Sequence, residues 1–163
     1  MINKIIDEAL IYHGFTKDFE TDLTSFYVRE SGSAIRFAIL HKLDHLPSPT
    51  ELNALINQSA PDSFLNHPTF KKNCDLICIH HLNHLAEFKD QEEQIFAIEE
   101  DPHFFKKYVL YYSDTEQHAI QDYTFNELVA TVSDKSQFSN YKEDPLAATH
   151  YSVAAKIFIK LPF

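Results

Sequence analysis

Cys74, Cys78, His80, His81 and His84 fall close together in the chain, and thiolates with imidazoles are the ligands that zinc takes. Tetrahedral zinc needs four such groups around one point. The run 75–82 (DLICIHHL) is apolar with no helical gap pattern, so it reads as a central strand. On a strand Cys78, His80 and His84 share a face and His81 points the other way. Cys74 and Cys78 then stand about 13 Å apart, too far to share an ion. The expectation is two buried cysteines with histidines at a strand end, and no bound metal. A small metal-dependent hydrolase or nuclease using His80, His81 and His84 is the alternative.

Other groupings are weaker. His41 and His45 are four apart but lack the acid of His-Glu-x-x-His, so no general base is placed for a metalloprotease. Asp75 followed by Glu87-x-Lys89 loosely mimics the acid and Glu-x-Lys of magnesium nucleases. That chemistry needs carboxylates on adjacent strands converging on one ion, whereas Glu87 and Lys89 open a helix. His118 and Tyr123 lie near acids without a spacing that makes an acid–base pair. No serine, threonine or cysteine nucleophile stands out. The chain has two glycines, Gly14 and Gly32, and these cannot build a P-loop, a dinucleotide fingerprint or a nucleophile elbow. No catalytic residue and no cofactor is expected.

Lysine and arginine number 14 against 24 acids, a net charge of −10. Seven of the acids fall between Glu87 and Asp101 beside one base, Lys89. Such a surface repels phosphate backbones, so direct nucleic-acid binding by this chain alone is not expected. It is either a solvated helix face or an attraction for a basic protein partner. Two cysteines make no disulfide framework, the N-terminal residues lack a signal-type apolar core, and no run reaches a membrane span. The expected protein is cytoplasmic, reduced and free of membranes.

The elements that hold these residues follow from spacing. Ile2, Ile5, Ile6, Ala9 and Leu10 form the stripe of an amphipathic helix, and Gly14 suits the left-handed position past its end. Runs 24–30 and 34–43 are rich in β-formers around Ser31-Gly32-Ser33, a hairpin. Ser48-Pro49-Thr50-Glu51 and Thr124-x-x-Glu127 are capping boxes that start helices, the second with Tyr123 and Leu128 as a hydrophobic staple. Leu85, Phe88, Ile95, Phe96 and Ile98 give the apolar side of an acidic helix that Asp101-Pro102 ends. Residues 103–112 could be helix or strand; their aromatic and β-branched content favours a strand over 106–112. A polar stretch follows at 133–143, then a last helix from Asp144-Pro145 through Ala154 and an apolar close at 157–163. The order predicts a single α+β domain over 1–163, a small, mainly antiparallel sheet with about five helices packed on it.

One block is unusual: Ile98-Glu99-Glu100-Asp101-Pro102-His103-Phe104-Phe105-Lys106-Lys107-Tyr108-Val109-Leu110-Tyr111-Tyr112. With the closing Ile159-Lys160-Leu161-Pro162-Phe163, it resembles the small middle component of ABC-three-component systems, which relate to the Lamassu group of bacterial anti-phage and anti-plasmid defence operons. The resemblance implies a non-catalytic adaptor between an SMC- or Rad50-like ATPase that senses foreign DNA and an effector, often a nuclease, held inactive until the ATPase engages. Glu99, Glu100 and Asp101 fall at the corner between two elements, and Phe104, Phe105 and Tyr108 follow directly. Aromatics bordered by charge are typical interface anchors, so these six residues are the expected partner contacts; the alternative is that the aromatics are simply core and cap. The apolar C-terminal segment is likewise either a buried edge strand or an extension docked on a partner. A free-standing acidic inhibitor or immunity protein is a third functional reading.

Overall fold

The structure, a computed structural model, describes residues 1–144 and 147–162. Helix α1 (Ile2–Tyr12) leads into a three-strand meander, β1 (Thr16–Glu20), β2 (Thr24–Ser31) and β3 (Ala34–Leu43). Helices α2 (Pro49–Ser59) and α3 (Asp62–Leu65) cross over to β4 (Cys74–Leu82); α4 (Phe88–Glu99) crosses over to β5 (Lys106–Ser113). Then come α5 (Asp114–Ala119), α6 (Phe125–Val132), α7 (Lys135–Glu143) and α8 (His150–Lys160). The sheet order is β1-β2-β3-β4-β5.

The α+β class is as expected, but the sheet is mixed. The pairs β1–β2 and β2–β3 are antiparallel, while β3–β4 and β4–β5 are parallel. Each parallel step follows a helical connection long enough to return the chain to the starting end of the sheet. Strand β4 is buried along nearly its whole length. A strand covered on both faces carries a continuous apolar run instead of an alternating one.

Successive strand residues feed two separate cores. On one face Tyr27, Leu40, Ile77, Ile79 and Leu110 pack with α1, α6 and α8 through Ile6, Leu128, Val153 and Ile157. On the other, Phe26, Phe37, Ile39, Cys78 and Val109 pack with α2, α3 and α4 through Leu52, Ile56, Phe64, Ile95 and Ile98. Phe96 does not join them; it is exposed. The capping boxes at Ser48 and Thr124 both close, and two more form at Ser113 and Thr149. Each such cap stabilises its helix by about 1 kcal/mol.

The C-terminal third departs most from expectation. The polar stretch is helix α7, opened by Asp134, whose side chain accepts from the Ser136 amide. None of its residues is buried. The last helix begins at His150, capped by Thr149, and continues to Lys160, so 157–160 is neither an edge strand nor a loose extension. Pro145, the expected start, and Phe163, the expected close, lie outside the described residues. Seven residues of α8 are buried. Glu116, itself fully buried, accepts from Ser152 Oγ at 2.5 Å and from Lys156 Nζ at 2.7 Å, tying α8 to α5.

Candidate functional site

The corner between α4 and β5 is built around a buried ammonium. Asp101-Pro102 stops α4, and the chain turns so that Lys107 points inward with no side-chain exposure. A lysine buried in that way needs all its protons satisfied. Lys107 Nζ donates to Asp101 Oδ2 at 2.8 Å, His103 O at 2.6 Å and Phe105 O at 3.1 Å. Asp101 also accepts from Asn53 Nδ2 at 3.0 Å and from the His103 amide. Burial would raise the Asp101 carboxyl, but the hydrogen bonds from Lys107, Asn53 and His103 outweigh it and hold the group below its ordinary value.

Glu99 has a different task. Its Oε2 accepts from the Val109 amide at 3.3 Å, and Lys160 Nζ donates to the Val109 carbonyl at 3.0 Å. Lys160 and Glu99 are themselves paired at 3.3 Å. β5 is an edge strand, and its outward amide and carbonyl at Val109 are thus occupied by an ion pair where a neighbouring strand would bind.

The six expected contact residues therefore divide. Glu99 and Asp101 serve the fold, and Phe105 is 1% exposed in the core. Tyr108 is partly buried against the core cluster on the opposite face of the sheet. Glu100 and Phe104 remain at the surface. Phe104 is the one non-glycine residue with positive φ among the described residues, at 63°. Such a conformation costs an L-residue roughly 1–2 kcal/mol. The residue is 46% exposed, with Lys71 Nζ 4.5 Å from its ring centroid. Lys107, Asn53 and Lys160 were not legible as parts of this corner; only the doublet Lys106-Lys107 opening an apolar strand hints that one lysine must turn inward.

The histidine–cysteine group does not assemble. Cys74 and Cys78 are free and buried, and burial pushes the Cys78 thiol up to about 12 and Cys74 well upward too. His80 Nε2 bonds Gln91 Oε1 at 2.6 Å on one face, and His81 Nε2 meets Asp114 Oδ1 at 2.5 Å on the other. His84 lies beyond the strand, just before the turn that precedes α4. Glu87 accepts from the Asn83 amide, and Asp75 pairs with Arg36, so the nuclease-like trio does not converge. His41 bonds Thr24 Oγ1 at 2.7 Å within the core. Among the described residues no group of three or more His, Cys, Asp or Glu is placed to hold a metal ion, and no helix is long and apolar enough to cross a membrane.

The fold and this corner define a mixed α+β domain whose surface loop is fixed from beneath by buried ionic contacts. Residues 36–136, more than half of the chain, match the family model of ABC-three component (ABC-3C) system Middle Component 1 (MComp1). The chain belongs to that family, and membership in a multicomponent system means that it has partners. The match spans β3 to the start of α7 and contains the corner except for Lys160, since α1 and α8 lie outside it. No curated protein and no solved structure matches the chain.

Proposed function

We propose that this middle component is a non-catalytic adaptor in a bacterial anti-phage defence complex of the Lamassu-related kind. It links an SMC-like ATPase to a nuclease-type effector and restrains that effector until the ATPase engages foreign DNA. The family match supports an accessory place in a larger system. The observation that carries the docking reading is Phe104, held in a costly left-handed conformation with its ring outward on a loop anchored by Asp101 and Lys107. Strain retained at an exposed aromatic points to a use for that ring. Glu100 and the outward acids of α4, Asp90 and Glu93, favour a basic partner surface. Glu99, Asp101 and Phe105 act as supports beneath the contact, and Tyr108 belongs to the other face.

The test is co-expression with the ATPase and effector subunits of the same system. Glu100→Lys with Phe104→Ala is expected to abolish co-purification while shifting the chain's own melting temperature by no more than about 2 °C, since both side chains are exposed. Undiminished co-purification of the double variant would overturn the assignment of this loop as the contact.

A further inference from the structure

Arg29 and Arg36 are the only arginines in the chain, and the β2–β3 register sets them directly opposite each other. Like charges in a directly opposed cross-strand pair repel. In a protein of net charge −10 the fold nonetheless brings its two guanidinium groups to one place.

Both arginines line a cleft of about 320 Å³ on the β2–β3–β4 face, floored by Leu10, Phe15, Ala38 and Ile77 and bordered by Pro162 beyond α8. Arg29 is held on three sides. Its Nη1 donates to the His13 carbonyl at 3.0 Å, and its guanidinium carbon lies 4.8 Å from the Phe15 ring centroid. Its stem also crosses Gly14, where a Cβ would come within 3.3 Å of Arg29 Cδ. Gly14 has φ +90°, so one of the two glycines sits where the arginine passes.

Arg36 already shows what the cleft accepts. Its Nη2 donates to Asp75 Oδ2 at 2.9 Å, and Asp75 is mostly buried while the Arg36 side chain is 43% exposed. Among the described residues that line the cleft, two guanidiniums face one carboxylate. Lys106, the β5 register partner of Asp75, adds a further positive charge on the neighbouring strand.

We propose that this cleft binds a carboxylate carried by an acidic segment of a partner protein, gripped by Arg29 and Arg36 with flanking apolar side chains on the floor. A planar carboxylate matches the guanidinium fork. An extended polyphosphate is disfavoured because its neighbouring charges would lie within a Debye length of an acidic molecule. The proposal deepens the adaptor reading only in taking the ligand from a partner. The two fail separately, because the cleft is probed on the isolated chain and the loop at 99–105 in the complex.

With two arginines, the ¹⁵N-labelled chain has two arginine Nε–H signals to follow. The probes are the peptide acetyl-Gly-Leu-Glu-Leu-Gly-amide, its glutamine counterpart and inorganic phosphate. The glutamate peptide is expected to shift both signals saturably, and to bind at least about tenfold tighter than the glutamine peptide, the size of a charge-assisted hydrogen bond. Arg29→Gln leaves the Arg36–Asp75 pair intact and is expected to weaken binding about tenfold. Asp75→Asn removes the internal competitor and is expected to tighten it. Absence of a saturable shift, equal affinity for the glutamine peptide, tighter binding of phosphate, or no gain in Asp75→Asn would each overturn the proposal.

Discussion

Asp101→Asn isolates what the corner's buried ion pair contributes. The substitution keeps size and leaves an amide oxygen near the Lys107 ammonium, whose remaining acceptors are the carbonyls of His103 and Phe105 at 2.6 and 3.1 Å. The lysine has no exposed side-chain area, so water cannot replace the lost carboxylate. Removing one partner of a buried pair costs about 3–5 kcal/mol, and the two carbonyls place this case near 3 kcal/mol. For a chain of this length that corresponds to a melting temperature roughly 6–12 °C lower, a large part of an ordinary stability of about 5–15 kcal/mol. Urea unfolding of Asp101→Asn, Lys107→Met and the double variant forms a cycle. The double variant is expected to recover at least about half of the loss, because a neutral pair has no stranded charge. A single Asp101→Asn change within about 0.5 kcal/mol of the native chain would refute the view that this pair sets the loop.

Three further outcomes follow from the same contacts. Because the Asp101 carboxyl is held below its ordinary value of 3.8, its contribution is complete above that value and is lost as pH falls through the folded-state value. The stability gap between the native chain and Asp101→Asn should therefore narrow in acid; a gap independent of pH would contradict this. Glu99→Ala uncaps the β5 edge at Val109 and should cost about 1–2 kcal/mol and raise self-association in size-exclusion chromatography; monodisperse, unchanged protein would speak against the edge role. Cys74 and Cys78, buried with raised thiol pKa values, should resist a thiol reagent in mildly alkaline buffer until the chain is unfolded, and rapid native labelling would count against that burial.

Much of the fold could be read from local signals. The stripe of α1, the hairpin, the boxes at Ser48 and Thr124 and the strand that became β5 each rest on a few neighbouring residues, and each is present. Strand β1 was missed because all five of its residues are exposed and carry no alternation. The parallel pairings were missed because strand direction is set by crossover geometry, which periodicity does not encode. Helix α7 had only its Asp134 cap to announce it. At the site, the acidic corner was located, but Glu99 and Asp101 were read as surface charges. Their partners Lys160, Lys107 and Asn53 come from three other elements, and no spacing rule links them. The Arg29–Arg36 pairing was closer to reach: a two-residue Gly32-Ser33 turn fixes that register, whereas a turn centred on Gly32 displaces it by one.

The weak burial of α7 gives the chain a natural handle. Helix α8 is fastened through Glu116, some forty positions upstream, and meets α7 through the His150–Gln137 hydrogen bond and the Tyr141 and Tyr151 rings. A dye, an affinity peptide or a photo-crosslinker placed on the outward side of 135–143 would report on assembly with partner subunits while leaving both cores intact. Limited proteolysis there should nick the backbone yet release no fragment.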